Sequence, residues 1–369
     1  MSCIQKFPHL RGENNFRGCR LLNRDLIERW LKWRLSQFPE KLRMNSISIA
    51  LCTYNGARYL GEQLRTLCAQ RGVGEIVVVD DGSTDGTWTI LEDYARQDSR
   101  ISLYGNAVPL GVTRNFERAI SLVRGTWVAL ADQDDIWLPE KLARMCTAWD
   151  GQSCLIHHAT HKFQGSVPAN LPSPAGEVRK FFGSDVRRLL YRNTVVGHTV
   201  LVRTEVVRQL MPFFAAVPHD WWIGVGAAML GRVQYVDEYL VHCRIHATNA
   251  YHAAGSRLQR LRMEHDLRVR LLQELVQQPA LSDAQRTFIR EYLNLLQNAA
   301  GRGFSRRLWR FYARHAAILF TGADPKLSWV TRLRKSVTAT IGAMERRRGK
   351  SGHGAKAAVP RYANGHGKV

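Results

Sequence analysis

Thr126-Trp127-Val128-Ala129-Leu130-Ala131-Asp132-Gln133-Asp134-Asp135 passes from a β-prone apolar run straight into three carboxylates. A continuous run without alternation reads as a short strand buried on both faces. Two upstream segments repeat the pattern. Ile47-Ser48-Ile49-Ala50-Leu51 leads into Thr53-Tyr54-Asn55-Gly56, and Glu75-Ile76-Val77-Val78-Val79 leads into Asp80-Asp81-Gly82. Between them, residues 58–70 place Leu60, Leu64, Leu67 and Cys68 on one helical face. Further helices are expected over 88–96, after the cap-like Ser83-Thr84-Asp85-Gly86-Thr87, and over 112–123, closed by Gly125. A short strand is expected at 101–104. Strands alternating with helices predict an α/β fold, a mostly parallel sheet with flanking helices.

Ligands of such sheets bind beyond the carboxyl ends of the strands. One acidic strand end means little, because Asp also caps the following helix. Asp80-Asp81 alone reads as a cap as readily as a site. Three polar or acidic ends in one sheet favour a site. Gathering Asp132, Asp134 and Asp135 is costly through repulsion and desolvation unless a cation neutralises them. A hard divalent ion, Mg²⁺ or Mn²⁺, suits oxygen ligands. The competing reading is a solvated acidic turn before a helix beginning near Leu138-Pro139-Glu140, where Pro139 suits a first turn.

Composition is that of a globular protein, with 45% hydrophobic and 23% charged residues, but the net charge is +22. Residues 1–44 carry +6 and residues 301–369 carry +14, which leaves the middle at only +2. The charge therefore belongs to two basic ends, which attract anionic surfaces. The expected organisation is a basic arm over 1–44 with an amphipathic helix near 23–38, and an α/β domain over 45–254. A basic helical region over 255–345 and a Gly/Lys/Arg-rich tail over 346–369, expected to be disordered, complete it. The seven cysteines are odd in number and show no CxxC spacing, as in a reduced cytosolic protein. No apolar run has the length of a membrane span, and the first residues lack a signal peptide's apolar core.

Ile47–Asn55, Val78-Val79-Asp80-Asp81-Gly82-Ser83-Thr84-Asp85-Gly86-Thr87 and Asp132-Gln133-Asp134-Asp135-Ile136-Trp137, in this order and spacing, resemble glycosyltransferase family 2. The resemblance extends to His219-Asp220-Trp221-Trp222 and to Cys243-Arg244-Ile245-His246-Ala247-Thr248-Asn249 and covers roughly 47–250, and this combination is similar to bacterial rhamnosyltransferase-like members. It implies the GT-A fold and inverting transfer of a sugar, rhamnose-like or hexose, from a dTDP- or UDP-sugar. The implied acceptor is a saccharide or lipid-linked saccharide of the cell surface. Thr53, Tyr54 and Asn55 then flank the nucleotide, with Tyr54 at the base, and Asp81 with Asp80 binds base or ribose. Asp134 foremost, with Asp132 and Asp135, holds the metal and diphosphate. Asp220 is the implied general base, and Arg244 and His246 approach the diphosphate. The family often carries an aromatic residue where this chain has Cys243.

Trp221 and Trp222 are candidates for stacking on the acceptor sugar. The competing reading makes them core residues of a buried helix that Asp220 caps. His242 and His246 have the spacing of a helical metal pair, but their surroundings look strand-like, and His157-His158 reads as polar surface. The mixed aromatic and basic stretch from Ser305 to Phe320 suits an anionic membrane surface, as expected of an enzyme at the inner face of the cytoplasmic membrane. It equally suits a solvated face of helices packed on the catalytic body. Nucleic acid is disfavoured as a partner, since no nucleic-acid-binding motif is present. A sugar-phosphate nucleotidyltransferase would need a Gly-rich loop after the first strand, which Cys52-Thr53-Tyr54-Asn55-Gly56 does not supply.

Overall fold

A computed structural model describes residues 47–167, 180–246, 257–299 and 305–320. The expected basic arm with its helix near 23–38, the basic tail, and Ala247-Thr248-Asn249 lie outside the described residues. Eight strands form one sheet: β1 (Ile47–Thr53), β2 (Val73–Asp80), β3 (Ile101–Gly105), β4 (Trp127–Asp132), β5 (Ile136–Trp137), β6 (Leu155–Phe163), β7 (Leu201–Arg203) and β8 (Val233–Arg244). Their order is β3-β2-β1-β4-β7-β6-β8-β5. Ile49, Leu51, Val78, Val79, Ala129 and Leu130 are fully buried, as unbroken apolar runs require.

The four strands from β3 to β4 are parallel. Beyond them the sheet is mixed, because β7 runs antiparallel to both β4 and β6 while β6 and β8 are parallel. The expected parallel character therefore holds for the first half of the sheet. The chain builds outward from β1 to β3 and then returns to β4 on the other side of β1. That reversal leaves a crevice between the carboxyl ends of β1 and β4, where Cys52 pairs with Asp132.

Helices α1 (Ala57–Cys68), α2 (Thr87–Gln97), α3 (Val112–Leu122) and α4 (Lys141–Ala148) follow β1, β2, β3 and β5. Helices α5 (Thr204–Arg208) and α6 (His219–Leu230) follow β7. Then come α7 (Arg257–Leu275), α8 (Asp283–Ala299), α9 (Arg306–Arg314) and α10 (Ala316–Leu319). One apolar core joins Val77, Val128 and Leu130 of the sheet to Phe116, Trp222, Leu271, Tyr292 and Tyr312 of the helices.

Three local expectations change. Gly125 is not a left-handed cap: α3 ends at an extended Val123, and the Gly125 amide donates to Ser48 Oγ at 2.8 Å. His157 and His158 are not surface residues but lie buried in β6, where imidazole nitrogens hydrogen-bond the carbonyls of Phe181 and Ala159. The stretch from Ser305 breaks at His315 and turns Leu308, Phe311 and Tyr312 into the core. Phe311 and Tyr312 therefore pack on the body, Trp309 is half-buried, and Arg306, Arg307, Arg310 and Arg314 stay exposed. No helix among the described residues is long and apolar enough to cross a membrane.

At the far end of the sheet from the crevice, buried Glu75 ties three segments together. It accepts from Ser48 Oγ at 2.5 Å, from the Gly125 amide at 3.2 Å and from the Arg124 amide. Burial works to raise this carboxyl, but the Ser48 hydroxyl, the two amides and the Arg124 guanidinium outweigh it and hold it below the ordinary value. Glu75→Gln should cost about 1–3 kcal/mol at neutral pH in chemical denaturation. Because the folded-state value is depressed, Glu75 contributes stability above the unfolded-state value and loses it as pH falls through the folded one. The variant should therefore show a shallower loss of stability as pH falls below the ordinary glutamate value of about 4.3.

Candidate active site at the carboxyl ends of the strands

The turn after β1 is fixed by its neighbours. Thr53 Oγ1 donates to Asp80 Oδ1 at 2.7 Å, and Asp80 also accepts from the Ser83 amide and hydroxyl at 2.8 and 2.6 Å. Asn55 adopts the left-handed conformation, with φ 47°, which Asn tolerates better than most side chains. Its amide donates to Ser83 Oγ, and its side-chain oxygen accepts from the Thr84 amide, both at 2.8 Å. Gln133 spans the crevice: its Oε1 accepts from the Tyr54 amide at 2.8 Å, and its Nε2 donates to the Tyr54 carbonyl at 3.0 Å. This clamp leaves the Tyr54 ring 52% exposed at the mouth. Gly56 is required beneath it, since a Cβ there would lie 2.2 Å from Gln133 Oε1.

Asp81 behaves differently from its expected contact with base or ribose. It is buried and accepts from Asn106 Nδ2 at 2.6 Å and from the Leu110 and Gly111 amides at 2.7 and 2.8 Å. Its carboxylate anchors the 106–111 loop, so Asp81 shapes the wall of the crevice.

The acidic run divides in two. Asp132 and Asp135 converge on His198, with Oδ2 atoms 3.3 and 3.1 Å from its Nδ1. Asp134 instead pairs with His246 Nε2 at 2.7 Å. Asp135 is only 2% exposed, while the side chains of Asp134 and Asp132 are 17% and 41% exposed. Burial, reinforced by the charges of Asp132 and Asp134 against the pull of His198, pushes Asp135 up to about 7. Burial and the Asp132 charge also raise Asp134. Asp132 lies below the ordinary value, because His198 outweighs burial there. His198 in turn is raised by Asp135 and Asp132 against burial. Asp132 and Asp134 offer hard oxygen donors at the mouth of a crowded acidic site, so the residues present fit Mg²⁺ or Mn²⁺.

Arg244 is held in place. Its guanidinium pairs with Glu62, donates from Nε to the Asp134 carbonyl at 3.2 Å, and lies 4.7 Å from the ring centroids of both Tyr59 and Phe163. Its amide donates to Asp135 Oδ1 at 3.2 Å. Arg244 therefore braces the acidic run from behind. His246 follows the last residue of β8, so His242 and His246 form no helical pair; His242 Nδ1 lies 3.3 Å from His161 Nδ1 instead.

Asp220 stands in the first turn of α6. Its Oδ2 accepts from the Gly197 amide at 3.2 Å and its Oδ1 from the Trp221 amide at 2.7 Å. Burial raises its carboxyl above the ordinary range, against the partial relief of His219 and the two amides. Trp221 and Trp222 do not reach the site. Both are at most 5% exposed, and their indole N–H groups donate to the carbonyls of Leu189 and Leu210 at 2.8 and 3.1 Å. The expectation of sugar stacking gives way to core packing.

His198 and Lys141 lie in no motif of the sequence, and Gln133 stands inside the acidic run without an expected role. Gly197-His198-Thr199 is a single 3₁₀ turn that touches Asp220 through one residue and Asp132 with Asp135 through the next. Lys141, fully buried, donates to the His198 carbonyl at 2.5 Å and braces that turn.

The profile of glycosyl transferase family 2 matches residues 48–211. An uncharacterized glycosyltransferase of Methanocaldococcus jannaschii is 30% identical over 206 residues, 54% of this chain and 70% of that protein. The chain belongs to glycosyltransferase family 2. Other relatives of the family member include an uncharacterized protein of Mycobacterium tuberculosis, 28% identical over 56% of this chain, of whose length the match spans only 61%. A Bacillus subtilis glycosyltransferase named for teichuronic acid biosynthesis is 30% identical over 44% of this chain and 64% of its own. A mannosyltransferase of Pyrobaculum calidifontis, solved with GDP-Man and Mn²⁺, shares the fold with a TM-score of 0.51 at 18% identity, over 86% of this chain and 94% of that one. The architecture is thus the GT-A arrangement expected of the family.

Gly56→Ala should break the Gln133–Tyr54 clamp and cost about 1–3 kcal/mol. In a Gln133→Ala background the same change should cost at least about 0.5 kcal/mol less, as a double-mutant cycle by chemical denaturation would read. Equal costs in both backgrounds would mean that the clamp does not hold the turn.

Proposed function

We propose that this chain is an inverting glycosyltransferase that moves a sugar, hexose or rhamnose-like, from a nucleoside-diphosphate donor such as a dTDP- or UDP-sugar. The acceptor is a saccharide or lipid-linked saccharide in the synthesis of a bacterial surface polysaccharide. The observation that carries the reading is the 3₁₀ turn at Gly197–Thr199, which sets the half-buried carboxylate of Asp220 beside the acids at the end of β4. A donor held by the strand ends would thus present its anomeric carbon toward a base. Kinship with the teichuronic acid glycosyltransferase supports the polysaccharide setting.

In this reading the exposed Tyr54 ring flanks the base, and Thr53, Asn55 and Asp80 fix the turn that receives the nucleotide. Asp132 and Asp134, with His246 beside Asp134, would hold Mg²⁺ or Mn²⁺ at the diphosphate. Such an ion supplies charge neutralisation for the departing nucleoside diphosphate. Asp220 takes the proton of the acceptor hydroxyl as that oxygen bonds to the anomeric carbon. The bond from that carbon to the diphosphate oxygen breaks, and its electron pair leaves with the nucleotide. The exposed arginines of α9 give the chain an electrostatic means of resting on an anionic membrane, at the inner face of the cytoplasmic membrane.

Asp220→Asn should lower kcat by about 100-fold to 10,000-fold and leave nucleotide binding intact. A base must be deprotonated to act. With the Asp220 value raised by burial, wild-type kcat/KM should fall on the acid side at a pH above the ordinary carboxylate range. Full activity in Asp220→Asn would exclude it as the base. Asp134→Ala should abolish the divalent-metal dependence of nucleoside-diphosphate binding measured by calorimetry; unchanged dependence would remove Asp134 from the metal site.

A further inference from the structure

The structure assigns Asp135, His198 and Cys243 to a second cation site, for a thiophilic divalent ion of the Zn²⁺ class. One ligand atom from each residue lies within 4.8 Å of the other two. They come from three separate places: the end of the β4 turn, the 3₁₀ turn at Gly197–Thr199, and β8. Tetrahedral zinc with bonds of about 2.0–2.3 Å sets its ligands about 3.3–3.8 Å apart. Small side-chain rotations close that difference.

A second, independent observation points to a ligand. Asp135 Oδ2 is buried and makes no hydrogen bond. The other oxygen of the same carboxylate accepts from the Arg244 amide, and the nearby His198 Nδ1 makes its hydrogen bond to Asp132 Oδ2. Asp135 Oδ2 lies 3.1 Å from His198 Nδ1, which it shares with Asp132, so part of the cost of burying its charge remains. A cation would remove that cost.

The surroundings orient the ligands. His198 Nε2 lies 3.1 Å from Thr160 Oγ1, which turns Nδ1 toward the acids. The donor set decides the ion. Thiolate and imidazole select zinc-like ions, whereas Mg²⁺ requires oxygen ligands and keeps its waters. Binding would release the Cys243 thiol proton to solvent, with any proton held between His198 and the two carboxylates. The site is distinct from the oxygen-lined mouth at Asp134, because Asp135 faces inward and Asp134 faces His246.

The test uses the full chain, stripped of metal by a chelator and titrated with Co²⁺ in the absence of any nucleotide. It is therefore independent of the glycosyltransferase reading. Wild type should bind one Co²⁺ with a thiolate-to-cobalt charge-transfer band, which one equivalent of Zn²⁺ abolishes and a large excess of Mg²⁺ leaves intact. Cys243→Ser should lose the band, and His198→Asn should keep it with affinity at least about tenfold weaker. Cys68→Ser should match wild type. A band that survives in Cys243→Ser, or that Mg²⁺ displaces, would overturn the assignment. Should the variants fold poorly, alkylation of wild type mapped by peptide mass decides the matter. Zn²⁺ should protect Cys243 selectively, and equal alkylation with and without Zn²⁺ would overturn the site.

Discussion

Three carboxylates leave the end of β4 within four residues, and their mutual repulsion is the constraint around which the site is arranged. In a partly dry crevice such repulsion grows with every water removed. The fold separates the charges, turning Asp135 inward beneath Arg244 and Asp134 outward to His246. It also supplies His198 between Asp132 and Asp135, whose positive form both acids favour. The remaining imbalance is what a metal would correct. The acids are thus tolerable because β8, the Gly197–Thr199 turn and α1, through Glu62 and Arg244, all converge on one strand end.

The topology explains why this convergence falls between β1 and β4. A chain that builds outward from β1 and returns on its other side leaves two adjacent strand ends whose following segments diverge. The gap is bridged by a side chain, Gln133 against the backbone of Tyr54. Farther out, short β7 reverses direction, and β6 and β8 extend the sheet beyond it. Those added strands bring His198, Cys243, Arg244 and His246 to the acids.

The first half of this fold was legible because it is written in local patterns. Unbroken apolar runs such as Val77-Val78-Val79 and the helical spacing of Leu60, Leu64 and Leu67 need no tertiary context to be read. The second half was not, because its strands carry histidines and short segments that look polar. His157 and His158 are buried by pairing with β8 and by carbonyl acceptors, and no periodicity announces that. In the site, motif residues were found by their order along the chain, but their directions were not. Asp81 reads like a ligand and serves a loop, and Trp221 and Trp222 read like a platform and fill the core. His198 and Gln133 escaped notice, since each acts through long-range geometry that spacing does not encode.

The clamp between Gln133 and Tyr54 also limits how this scaffold can diversify. Both hydrogen bonds reach the backbone of residue 54, and Gly56 leaves no room beside them. An insertion or deletion in that turn would unseat both bonds at once, so its length is effectively frozen. The ring at position 54 takes no part in the clamp and can change freely. Variation among relatives should therefore fall on this side chain and on the 106–111 wall, while the number of residues between β1 and α1 stays the same.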